Sequence, residues 1–175
     1  MELLVRTFPG IVVIDEAYVE FADYSVAGLA RGYRNLIVLR TFSKAFGLAG
    51  MRLGYMIADS ALSRLFGEKV QYPYPLNTFA LKLATRVLQA DDVVASSIED
   101  VKRERERLSG ELSLTGAKVF PSKTNFILLQ VGELADQIHK ALAGQGLFIK
   151  NIGDVIGLKG CLRATVGKPE VNDKI

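Results

Sequence analysis

The chain has 175 residues, enough for one ordinary domain or two small ones. An apolar fraction of 49% and a mean hydropathy of +0.21 exclude a disordered chain; a net charge of +3 is too weak to indicate a nucleic-acid binder but suits an anionic small ligand. The single cysteine, Cys161, leaves no disulfide framework, no apolar run reaches membrane-spanning length and no signal-peptide pattern opens the sequence, so a soluble cytoplasmic protein is expected.

Residues 1–10 carry no clear period and end in a Pro9-Gly10 turn. Ile11–Ile14 is a β-branched run that reads as a buried parallel strand, and it delivers Asp15, Glu16, Ala17 and Tyr18. Residues 21–34 predict a loop with a short helix, and Leu36–Leu39 is a second buried strand. It runs into Thr41, Ser43 and Lys44, then a small-residue loop with Gly47, Ala49 and Gly50, then Arg52. Leu53–Ile57 predicts a third strand, and Asp59 and Ser60 cap a helix to about Val70. The prolines in Tyr72–Pro75 exclude helix there. Asn77 caps a helix from about Thr78 to Gln89, and a long amphipathic helix follows from Asp91 to about Leu112.

Beyond Gly116 the pattern changes. Lys118–Phe120 and Asn125–Gln130 read as strands, 133–143 as helix, and Gly146–Lys150 and Gly160–Val166 as further short strands. Strands alternating with helices over 1–75 indicate α/β, whereas 117–166 reads as a separate small α+β unit. Two domains are predicted, 1–89 and 90–175, joined by a helix at about 90–114.

In open α/β sheets, ligands gather beyond the carboxyl ends of the strands. Asp15, Tyr18 and Lys44 fall at such ends. A lysine beside hydroxyls, followed eight residues later by an arginine, suits a phosphorylated carbonyl cofactor. Lys44 can form a Schiff base, while Thr41, Ser43 and Arg52 can hold a phosphate. Asp15 is the candidate carboxylate for a pyridine nitrogen, and Tyr18 the candidate donor to a ring oxygen. Taken singly, Lys44 is more commonly an exposed turn lysine, and Asp15 reads equally as a helix or turn cap. Together, in this order, they describe a pyridoxal 5'-phosphate site. A proton-transfer role requires a neutral Lys44 amine, which Arg52 nearby and partial burial would favour. His139 is expected on the surface and Cys161 in the core, and no metal site is expected.

DEAYVEF at 15–21, TFSKAFGLAGMRLGY at 41–55, PYPL at 73–76, TNFIL at 124–128 and GCLRATVG at 160–167 resemble the histidinol-phosphate aminotransferase family, a branch of the fold-type-I pyridoxal-phosphate aminotransferases. The resemblance runs through nearly the whole chain. It implies the back half of the large cofactor-binding domain, a mostly parallel sheet with helices, followed by a small α+β domain. It makes Lys44 the catalytic lysine that bears the cofactor, and Asp15, Tyr18, Thr41, Ser43 and Arg52 the other cofactor-binding residues. Arg163 resembles the arginine that meets the anionic end of a small-molecule substrate. Lys150, thirteen residues earlier, stands where the family usually carries an arginine. Lysine keeps the charge there but loses the planar fork.

The implied reaction is ping-pong amino transfer from glutamate to imidazole-acetol phosphate, giving histidinol phosphate in histidine biosynthesis. The implied full-length protein is a homodimer that engages neither nucleic acid nor membrane. Family members are roughly twice as long, so a fragment incomplete for activity, with an unpaired sheet edge prone to self-association, is expected. Two alternatives stand beside this reading. One is a related pyridoxal-phosphate enzyme, an aromatic aminotransferase or a threonine-phosphate decarboxylase. The other is a catalytically inactive association module.

Overall fold

The computed structural model describes the whole chain apart from the side chain of Asp91, and divides it into two compact units, Met1–Ala95 and Ser96–Ile175. The division falls inside a helix.

The first unit opens with helix α1 (Glu2–Thr7), where the sequence alone gave no period. Strands β1 (Val12–Asp15), β2 (Leu36–Thr41) and β3 (Gly54–Ala58) form one sheet in that order. β1 and β2 are parallel, with Asp15 opposite Leu39, while β3 returns antiparallel to β2. A short connection of twelve residues, 42–53, suffices for that return, whereas a parallel crossover needs an intervening helix. Gly54 lies so close to β2 that a Cβ there would sit 2.8 Å from the Arg40 carbonyl oxygen. Side-chain alternation buries Val12, Leu36 and Val38 in a cluster with Val5, Val26 and Ala30. The opposite face leaves Val13, Leu39 and Tyr55 exposed. Helices α2 (Ser60–Lys69) and α3 (Thr78–Leu88) start where predicted. The Asp59 carboxylate accepts the Ala61 N–H at 2.9 Å and the Asn77 side chain accepts that of Ala80 at 2.8 Å.

Helix α4 (Asp91–Leu114) leads into the second unit. There β4 (Lys118–Phe120), β5 (Phe126–Gln130), β6 (Lys150–Val155) and β7 (Leu158–Thr165) form an antiparallel sheet of order β4-β5-β7-β6. Helix α5 (Ala135–Gly144) and the short α6 (Pro169–Asn172) complete it. Ile127, Leu162 and Ala164 are fully buried with Leu108 of α4 and Leu142 of α5, each large side chain worth about 2 kcal/mol in apolar burial. Cys161 is likewise fully buried. The strand expected at Gly146–Lys150 begins only at Lys150: Gly146 has φ +78 and Leu147 bonds back to Leu142, so these residues finish the helix instead. Gly160 (φ +61) crosses Gly132 so closely that a Cβ would lie 1.7 Å from its carbonyl oxygen. No helix among the described residues is long and apolar enough to cross a membrane.

Candidate functional site

The carboxyl ends of β1 and β2 lie side by side because the strands are parallel and in register, and the Glu16 N–H extends the ladder by donating to the Leu39 carbonyl at 2.8 Å. Asp15 is the last residue of β1, exposed, and outward-facing by the alternation that buries Val12. Its Oδ1 accepts the Ala17 N–H at 2.9 Å, a turn that holds the rotamer and leaves Oδ2 uncommitted among the described residues. Tyr18 follows, just before a short 3-10 turn at Val19–Phe21.

At the end of β2 the loop 42–53 is pinned from below. Phe42 is buried and packs against Phe46 and Tyr55, with ring centroids 5.0 and 5.7 Å away. Leu53 and Ala84 close the same cluster, with Leu48 and Met51 against it. The Phe42 N–H donates to the Leu53 carbonyl, and the Gly47 N–H to the Lys44 carbonyl. With the apolar members turned inward, the polar ones emerge. Thr41 Oγ1 accepts the Ser43 N–H at 3.0 Å. Lys44 Nζ stands 5.2 Å from the centroid of the Tyr18 ring, a cation–π distance. Arg52 is the one non-glycine residue with positive φ among the described residues (52°), a conformation costing about 1 kcal/mol or more; its guanidinium donates to the Ala49 carbonyl at 3.1 Å.

The structure therefore gathers Asp15, Tyr18, Thr41, Ser43, Lys44 and Arg52 around two adjacent strand ends, with direct contact between Lys44 and Tyr18. The partial burial expected of Lys44 is not found. It is exposed, because the turn carries it past the last ladder bond and the Tyr18 ring is the side chain set over it. The donor set comprises a primary amine, a carboxylate with one oxygen to spare, a phenol, two hydroxyls and a guanidinium. A phosphorylated pyridine aldehyde requires these groups, so the residues present fit it.

In the second unit Lys150 and Arg163 are cross-strand partners on β6 and β7. They line a cleft of about 460 Å³ with His139, Asn151 and Thr165. The Arg163 guanidinium lies 5.1 Å from the Phe126 ring centroid, and its Nε is buried with no hydrogen-bond partner among the described residues. An arginine with an unspent donor beside a lysine suits an anion. His139, expected on the surface, is half-buried in this cleft because α5 lays it against β6.

Sequence reasoning missed the group beneath the first site. Glu16 is 9% exposed. Its Oε1 accepts the Val26 N–H at 2.6 Å, its Oε2 accepts Arg40 Nε and Nη2 at 3.1 and 3.0 Å, and Ser25 Oγ lies within 3.0 Å of both oxygens. Beside them Glu20 is half-buried, and its Oε2 has no hydrogen-bond partner among the described residues. Burial pushes its carboxyl up, its own backbone N–H and Arg40 pull it back, and the charge of Glu16 adds to the rise. The available signal was a second acid directly after a strand end and an arginine one residue before the end of the next strand.

Comparison with known proteins places these residues in context. The family described as aminotransferase class I and II matches over residues 1–175. A histidinol-phosphate aminotransferase of Thermoanaerobacter pseudethanolicus is 42% identical over 171 residues, 97% of this chain and 48% of that protein. The crystal structure of histidinol-phosphate aminotransferase from Sinorhizobium meliloti in complex with pyridoxal-5'-phosphate superposes with a TM-score of 0.87 at 28% identity, over 99% of this chain and 50% of that one. The L-threonine-O-3-phosphate decarboxylase of Porphyromonas gingivalis superposes with a TM-score of 0.78 at 27% identity, over 93% and 51%. The chain spans about half the length of the curated relatives it matches.

Proposed function

This chain belongs to the aminotransferase class I and II family, and from that premise we propose that it is the lysine-bearing part of a cytoplasmic, homodimeric histidinol-phosphate aminotransferase that uses pyridoxal 5'-phosphate. The amino group passes from glutamate to imidazole-acetol phosphate. One observation supports this reading most: a lysine, a carboxylate and a tyrosine share two adjacent strand ends, with the lysine amine against the tyrosine ring. That arrangement occurs in a chain about 42% identical to a protein of that name.

Pyridoxal phosphate, when bound, supplies a conjugated system that takes up the electrons left on the substrate α-carbon. This chain's residues would do the rest. Lys44 Nζ would hold the cofactor and, once displaced by the substrate amine, would take the α-carbon proton and return it at the far end of the transfer. Asp15 would supply the carboxylate that keeps the ring nitrogen protonated, and the Tyr18 hydroxyl would donate to the ring oxygen. Thr41, Ser43 and Arg52 would hold the phosphate with two hydroxyls and a planar fork. In the second unit, Arg163 and Lys150 offer cationic donors to the anionic end of the substrate. At Lys150 the contact is a point charge rather than a bidentate one, so its grip depends less on angle.

The test is turnover by the full-length protein with histidinol phosphate and 2-oxoglutarate, which should yield glutamate. A phosphothreonine decarboxylase, the second reading that the Porphyromonas structure favours, would instead release carbon dioxide without an amino acceptor. Lys44→Ala should abolish either activity, by about a thousandfold or more. Full turnover in that variant would overturn the role of Lys44.

A further inference from the structure

Glu16 adjoins Asp15 yet is turned the opposite way. Its carboxylate is buried and both oxygens are filled by Val26 N–H, Ser25 Oγ and the Arg40 guanidinium. It has no acceptor left for a cofactor or substrate. What it does hold is chain. Through Val26 and Ser25 it ties the excursion 16–26, which carries Tyr18, back onto its own first residue. Through Arg40 it ties that closed loop to β2, four residues before Lys44. Arg40 Nη2 also donates to Ser25 Oγ at 2.9 Å, so the three side chains form one ring of bonds. Backbone pairing alone fixes Asp15 against Leu39, but Tyr18 lies beyond the ladder, on an excursion that ladder bonds do not reach.

We propose that Glu16, Ser25 and Arg40 are positioning residues that set Tyr18 over Lys44, and so tune how readily the amine at position 44 gains or loses its proton when the cofactor is bound. The inference rests on the reading of Tyr18 and Lys44 given above. The Lys44–Tyr18 distance of 5.2 Å is the contact being held. Arg40 is suited to the task because its planar fork engages carboxylate and hydroxyl in a fixed geometry, which the pivoting ammonium of a lysine does not impose.

The experiment titrates the visible absorption band of the full-length protein loaded with pyridoxal phosphate, in wild type, Glu16→Gln, Tyr18→Phe and the double variant. Glu16→Gln keeps the side-chain shape and the acceptor for Val26 but discards the charge that Arg40 answers. Its midpoint should move by about 0.5–1 pH unit, and pyridoxal phosphate should bind roughly three- to tenfold more weakly. Tyr18→Phe should move the midpoint too, and Glu16→Gln should add nothing in that background. Equal shifts in both backgrounds, or none from Glu16→Gln, would overturn the inference. If Tyr18→Phe leaves the midpoint unmoved, the reading of Tyr18 fails first and takes this one with it. Should Glu16→Gln not fold, Ser25→Ala removes one link while keeping the ion pair; it should give a smaller shift of the same sign, again absent with Tyr18→Phe, and no shift would be contrary.

Discussion

Glu16 in the first unit and Glu104 in the second are both buried carboxylates bonded to an arginine, and their surroundings differ in one respect. Glu104 on α4 accepts from Arg107 Nε and Nη2 and from Asn172 Nδ2, the last at 2.9 Å. Arg107 continues to Glu111 and Asp173. Asn172 also pairs with Gly167 in both directions, at 2.9 and 3.0 Å. This network fastens α6 to α4, and each acceptor meets a donor. Hydrogen bonds from Arg107, opposed by burial and helped by Asn172, hold the Glu104 carboxyl down at about 2. In the cluster around Glu16, by contrast, Glu20 keeps a buried oxygen with no partner among the described residues. The fully satisfied network is a structural fastener; the under-satisfied one lies beside the strand ends of the candidate site, where the positioning role proposed above would account for it.

The sharpest way to break this contrast is Asn172→Ala. Asn172 is 2% exposed and makes three side-chain bonds. Losing them should cost about 2 kcal/mol, and the second unit should melt roughly 10 °C lower by circular dichroism. A loss under 1 °C would mean that α6 is not fastened here.

Next in size is the pH response, where the two units should differ in sign. Glu104 has its folded pKa below the usual 4.5, so its contribution is present above that value and fades as pH falls from about 4.5 toward 2. Thermal melting of the chain should drop over that window, and Glu104→Gln should flatten the drop. Glu20 has its folded pKa raised, so its contribution is complete below 4.5 and is lost as pH rises through the folded value. Glu20→Gln should therefore leave stability unchanged at low pH and raise it slightly at neutral pH, the smallest of these effects. A fall at neutral pH would show that Glu20 is held as a charge.

The strand ends that carry Asp15, Tyr18, Thr41, Ser43 and Lys44 were legible because the continuous apolar runs Ile11–Ile14 and Leu36–Leu39 mark the two buried strands that deliver them. Asn77 and Asp59 declared their helices by capping chemistry. Glu16 escaped because its partners, Ser25, Val26 and Arg40, are nine to twenty-four positions away and belong to no period. His139 escaped for a related reason: its place beside Lys150 and Arg163 depends on how α5 lies on β6, which a helical pattern does not specify. Gly146–Lys150 was misread as a strand because Leu147, Phe148 and Ile149 form an apolar run, while the left-handed glycine before them terminates a helix.

The proposed function requires Lys44 to be the amine that carries the cofactor. Loading the full-length protein with pyridoxal phosphate, reducing with borohydride and mapping the modified peptide tests this directly. A single pyridoxyl group is expected on Lys44, within the peptide that holds Thr41 and Ser43. A label fixed on any other lysine, or none at saturating cofactor, would contradict it.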